Sequence, residues 1–183
     1  HDDAERYARA YADAISAIAE YESGRAGSVF TRNSISVKLS AIHPRLEYVK
    51  RERVMAELLP RLLPLCRAAR DAGIGFTMDA EEADRLDLHL DIFAAVSADA
   101  SLKGWNGLGL AVQAYQKRAP AVIDWLAALA REHQRRIPVR LVKGAYWDSE
   151  IKRAQELGID GYPVFTRKAS TDVSYLACAR QLL

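Results

Sequence analysis

The apolar positions change period from segment to segment, and those changes mark the elements. Over 2–21, Tyr7, Tyr11, Ala14, Ile15 and Ile18 recur at intervals of three and four among charges, which predicts an amphipathic helix. The stretch 22–33 holds Gly24, Gly27 and several hydroxyl residues and predicts a loop. Residues 34–40 alternate strictly, with Ile35, Val37 and Leu39 on one side and Ser36 and Lys38 on the other, as in a strand. A helical pattern over 51–71 contains Pro60 and Pro64, which predict a kink or restart.

The same unit then repeats. Strands are expected at 76–79, 108–113, 138–143 and 163–166, and helices at 83–98, 121–136, 149–157 and 171–183. Pro120 suits the opening of the helix at 121–136. Strands alternating with helices imply a mainly parallel sheet covered by helices. An open doubly wound sheet would be apolar on both faces. Here one parity is apolar (Phe76, Met78, Leu108, Leu110, Val112, Val139, Leu141) and the other small or polar (Ser34, Ser36, Gly75, Thr77, Gly109, Ala111). That asymmetry favours a (β/α)8 TIM-type barrel, represented by a leading helix and about five βα units. Such a barrel takes about 250 residues, so three strands are expected to be missing. The organisation expected is a helix and linker over 1–33 and a partial barrel over 34–183. With no initiator Met, the chain is expected to be a piece of a longer one.

Composition narrows the function. The 183 residues are 50% hydrophobic and 27% charged with formal net charge +2, which fits a folded chain and excludes a disordered one. Basic residues are spread evenly, so no nucleic-acid partner is expected. Cys66 and Cys178 sit in apolar helical stretches and read as reduced core thiols of a cytoplasmic protein. No zinc-type spacing, Ser-His-Asp set, G-x-G-x-x-G or P-loop occurs, and no metal is expected. No apolar run is long enough to span a membrane, and residues 1–10 are too charged for a signal peptide.

Every expected strand ends in polar or charged residues: Lys38; Asp79 with Glu81; Gln113; Arg140 with Lys143; Thr166 with Arg167 and Lys168. In a barrel such residues converge on one mouth, and this many cations predict an anionic ligand. In Lys143-Gly144-Ala145-Tyr146-Trp147 the glycine allows close backbone approach and the aromatics offer stacking surfaces. Asp148 or Ser149 is expected to cap the next helix, whose free N–H groups could take phosphate. His43 reads as either a mouth residue or a capping one, His89 and His133 as surface or packing residues, and Trp105 and Trp125 as packing anchors. These residues alone leave open a Schiff-base aldolase or phosphosugar isomerase with Lys38 as nucleophile, or an inactive barrel fragment.

Five strings in one order, Ser36–Arg45, Asp79–Arg85, Gln113–Arg118, Arg140–Trp147 and Tyr162–Lys168, resemble the proline dehydrogenase domain of the bacterial bifunctional proline utilization flavoenzymes. The resemblance covers about 34–183. It implies a (β/α)8 barrel with non-covalent FAD at its mouth, oxidising L-proline to 1-pyrroline-5-carboxylate by hydride transfer to flavin N5. By motif match, Lys38 holds the substrate carboxylate, Asp79 orders the basic groups, Gln113 bonds the flavin ring, and Arg140 lies near N5. Lys143, Gly144, Tyr146 and Trp147 contact the cofactor, Tyr146 also walls the substrate pocket, and Thr166, Lys168 and Thr171 reach the pyrophosphate or adenosine end. The same resemblance implies a quinone acceptor, an aldehyde dehydrogenase domain in the parent chain, and a cytoplasmic protein with at most peripheral contact at the inner membrane. The family's Tyr-x-x-Arg-Arg and Thr-His-Asn strings do not occur in this sequence, so half of the carboxylate clamp is absent from it.

Overall fold

The structure, a computed structural model, describes residues 2–183. Helix α1 (Asp2–Glu22) precedes β1 (Ser34–Val37), the short α2 (Leu39–Ile42) and α3 (Arg51–Asp71). Then come β2 (Gly75–Met78), α4 (Leu86–Ala98), β3 (Leu108–Gln113), α5 (Ala119–Glu132), β4 (Val139–Val142), α6 (Trp147–Glu156) and α7 (Lys168–Gln181). The strands form one parallel sheet in the order β1-β2-β3-β4, the arc of a barrel wall. Its outward parity is the apolar one: Ile35, Val37, Phe76, Met78, Leu108 and Leu110 pack into one core with α3, α4 and α5. Ile15 of α1 joins that core. Glu22, at the end of α1, accepts from the backbone and side-chain N–H of Asn33 and so closes the linker loop onto the helix.

The alternation is present as expected, with three local differences. β1 stops at Val37 because Lys38 already caps α2, so Leu39 enters a helical turn while keeping its buried place. α3 runs unbroken through Pro60 and Pro64. Both prolines are exposed, so water can take the carbonyls they free, while Leu58, Leu62, Leu65 and Cys66 hold the two halves on one core. The expected strand at 163–166 is not a strand. It makes a single antiparallel bridge, Val164 to Gln116. Pro163 has no N–H to give a ladder; its carbonyl accepts from Lys117 N–H (3.0 Å), and Phe165 N–H donates to Tyr115 O (2.8 Å). The segment therefore lies across the chain leaving β3 instead of extending the sheet beside β4.

Cys66 and Cys178 are buried free thiols. Trp105 is buried, and Trp125 packs on Phe93 with ring centroids 6.4 Å apart. His89 is buried among helix residues, whereas His43 fastens the first loop to α3 through Glu57 (3.1 Å). Among the described residues no helix is long and apolar enough to cross a membrane.

Candidate active site

Strand register decides what meets at the mouth. Val37 pairs with Met78, Met78 with Leu110, and Ala111 with Arg140. One residue past the first two pairs, Lys38, Asp79 and Ala111 line up, and Arg140 opposite Ala111 completes a single row across four adjacent chains. The Arg140 side chain leaves β4, crosses β3 above Ala111, and donates to the Asp79 carboxylate and to Ser36 Oγ (2.5 Å). Ala111, in register with Arg140, makes that crossing feasible, because a larger side chain there would occupy the guanidinium's path; Gly109 is small for another reason, since a Cβ there would lie 2.7 Å from Pro138 O. Lys38 has an exposed side chain whose ammonium pairs with no carboxylate among the described residues. Two cations and one carboxylate leave a net positive place at the end of the row.

A second cluster lies beside it, around a cavity of about 400 Å³ lined by Tyr115, Lys143, Gly144, Trp147, Thr166, Lys168 and Thr171. Gly144 has φ +147°, and a Cβ there would lie 2.3 Å from the Tyr115 ring, so the close approach it permits is to Tyr115. Trp147 is fixed as a wall by its indole N–H, which donates to Phe165 O (3.0 Å). Lys143 (2.5 Å) and Lys168 (2.6 Å) both bond Asp172, which they hold below the usual carboxylate range, while Asp172 raises the Lys143 amine. This unit too carries one net positive charge. Tyr146 is half-buried and is itself the N-cap of α6. Neither Asp148 nor Ser149 takes the capping place, and the Ser149 hydroxyl instead donates to Tyr146 O (2.9 Å).

Three buried polar side chains tie the strand-end loops together. Glu81 accepts from Ser40 N–H (3.0 Å) and Arg85 (2.7 Å). Gln113 donates to Glu81 O (2.8 Å) and accepts from Ala145 N–H (3.1 Å), linking the loops after β2 and β4. Glu150 of α6 accepts from Ala83 N–H (2.5 Å), and burial raises its pKa. Glu81 thus serves the frame of the mouth rather than its open face. Arg167 lies exposed as the residue that precedes α7. Asp172, Ser36 and Tyr11 escaped the sequence reading as members of the site. Only the Lys168–Asp172 spacing, four apart at a helix start, could have pointed to one of them. Among the described residues no cluster is placed to hold a metal ion.

The family model described as Proline dehydrogenase matches residues 1–183. The chain belongs to the proline dehydrogenase family. It is 54% identical over 181 residues to the Bifunctional protein PutA of Salmonella typhimurium and 55% identical over 174 residues to that of Rhizobium meliloti, covering 99% and 95% of this chain. In each case it spans only 14% of the relative's length. A crystal structure of a Bradyrhizobium japonicum Proline Utilization A mutant superimposes with TM-score 0.96 at 61% identity, over 99% of this chain and 18% of that one. Proline utilization A from Bdellovibrio bacteriovorus, in a form inactivated by N-propargylglycine, gives TM-score 0.90 at 26% identity, over 99% of this chain and 20% of that one. The arc of four parallel strands is therefore part of a proline dehydrogenase barrel of the TIM type.

Proposed function

We propose that this chain supplies the first half of an FAD-dependent L-proline dehydrogenase site, producing 1-pyrroline-5-carboxylate in the first step of proline catabolism. The supporting observation is the row of Lys38, Asp79 and Arg140 next to a cavity walled by aromatic rings and lysines. Proline is a small carboxylate, and flavin is a ring system on an anionic tail, so the two positive places and the aromatic wall fit both. A bound flavin would accept the hydride that leaves the ring carbon beside the proline nitrogen. The remaining work belongs to the chain's side chains.

Lys38 pairs with the substrate carboxylate, fixing which carbon is presented for transfer. Asp79 holds Arg140, whose guanidinium favours the electron-rich flavin. Gln113 keeps one N–H beyond the bond it gives Glu81, and that donor suits a flavin carbonyl. Gly144, Tyr146 and Trp147 would hold the ring, and Lys143, Lys168, Thr166 and Thr171 the pyrophosphate or adenosine end. Tyr146 also bounds the substrate side. Lys38 is exposed rather than enclosed in the apolar pocket that activates a Schiff-base lysine, which weighs against the aldolase reading. Within the same proposal, electrons pass to a quinone, the parent chain adds an aldehyde dehydrogenase domain, and the protein works in the cytoplasm with at most peripheral membrane contact.

The test is the visible spectrum of the full-length protein before and after L-proline without oxygen. Flavin bands that proline bleaches support the proposal. A colourless protein, or a yellow one that proline leaves unchanged, refutes it.

A further inference from the structure

We infer that Tyr11 and Glu81 are positioning residues for Lys38, clamping its main chain from two sides so that its ammonium is presented to the substrate carboxylate; the inference rests on the function proposed above. Lys38 stands where β1 has ended and α2 begins, with an exposed side chain that no other side chain among the described residues steadies. Its direction therefore depends on the backbone beneath it. The Lys38 N–H donates to Tyr11 Oη (3.2 Å), reaching out from α1, twenty-seven residues earlier. Two residues on, Ser40 N–H has no intrahelical partner because it lies in the first turn of α2, and it donates to Glu81 Oε1 (3.0 Å) from the loop after β2.

Between these anchors the Lys38 carbonyl accepts from Ala41 N–H (3.1 Å), so the peptide groups on both sides of its Cα are held. Glu81 is itself immobilised. Its second oxygen takes Arg85, its main-chain carbonyl takes Gln113, and its side chain is buried. Asp79 is held separately, its N–H donating to Val37 O (2.9 Å). The clamp therefore sets where the cation that meets the substrate stands. Tyr11 belongs to a helix that precedes every strand of the sheet, which gives α1 a role in substrate affinity as well as in packing.

The experiment uses the full-length flavoprotein with Tyr11→Phe, Glu81→Gln and Glu81→Ala, reading proline KM, kcat and bound flavin per chain. Loss of one neutral hydrogen bond should make Tyr11→Phe raise KM about threefold to tenfold. Glu81→Ala should raise it more than about tenfold, and Glu81→Gln, whose carbonyl oxygen still accepts from Ser40, should return to within about threefold of the parent. In each variant kcat and flavin content should stay within about twofold, a split that loss of folded protein would not produce. Unchanged KM in Tyr11→Phe and Glu81→Ala, or kcat and flavin falling together with affinity, overturns the clamp. Should Glu81→Ala be recovered unfolded, Tyr11→Phe, which removes a single oxygen, decides the matter. A parent protein that proline does not bleach refutes the proposed reaction and, with it, the clamp; a bleached parent with unshifted variants refutes the clamp alone.

Discussion

Ala111→Leu tests the geometry of the mouth without touching a charged group. Strands lie about 4.8 Å apart, so Arg140 on β4 must reach across about 10 Å to the chain that carries Asp79. Its path runs over Ala111, the β3 residue in the same row. Leucine there puts a branched side chain where the guanidinium stem now lies, and the bonds to Asp79 and Ser36 cannot both survive. Hydrogen bonds to charged groups contribute about 1.5–3 kcal/mol each. Arg140 is about half exposed (47% of its side chain), so the lower figure applies. About 1.5 kcal/mol is about a tenfold loss in kcat/KM for proline. Arg140→Met removes the same bonds from the other end, weakening flavin binding and slowing reduction. Anaerobic flavin reduction by proline in both single variants and the double variant forms a thermodynamic cycle. The double should be little worse than the worse single, because both disable one crossing. Ala111→Gly, which keeps the path open, should behave like the parent. Fully additive losses, or parent-like rates in Ala111→Leu, would refute the idea that Ala111 is small so that Arg140 can pass.

Other consequences are read more simply. Lys38→Met should raise the proline KM while flavin content stays constant, since its ammonium pairs with no group among the described residues; unchanged saturation kinetics would end its assignment to the carboxylate. Arg135 is buried and donates to the carbonyls of Ser97, Leu102 and Trp105. Arg135→Met should cost about 3 kcal/mol in denaturant unfolding by leaving those acceptors unpaired, with little change in KM. Burial lowers the His89 pKa to about 4, against an ordinary value of 6.5, so His89 is neutral when folded. Its depressed folded value means stability present above about pH 6.5 is lost as pH falls toward 4, and His89→Gln should flatten that part of a melting-temperature profile.

Much of the arc was legible because it depends on parity, which is local. Ser36, Thr77, Gly109 and Ala111 announced a small inward face, and the register then set Lys38, Asp79 and Arg140 in one row. What escaped depends on contacts between distant segments. Nothing in Pro163 to Thr166 states that its partner is the chain leaving β3 rather than β4. Leu39 fits a strand by parity, and only the acceptors around it, Tyr11 and Glu81, show why the chain turns there. The prolines of α3 looked disruptive because their exposure is a property of the packed helix, not of the string. Asp172 met Lys143 only once α7 and β4 had packed.

Both positive places share one construction, and electrostatics explains it. Arg140 is steadied by Asp79, and Lys143 with Lys168 by Asp172. Long cationic side chains left alone in water sample many rotamers, and ordering one on ligand arrival costs about 1.5–2 kcal/mol. A carboxylate on a helix or strand end removes that cost in advance, but each carboxylate also cancels one unit of the charge meant for the ligand. The arrangement works only if cations outnumber carboxylates, as they do at each place, where Lys38 supplies the surplus in the row and the second lysine supplies it beside Asp172. Asp172→Asn should therefore increase the local positive charge yet weaken cofactor retention, because disordered lysines bind an anion less well than fixed ones. Tighter flavin retention in that variant, measured by dialysis of the full-length protein, would show that net charge outweighs preorganisation here.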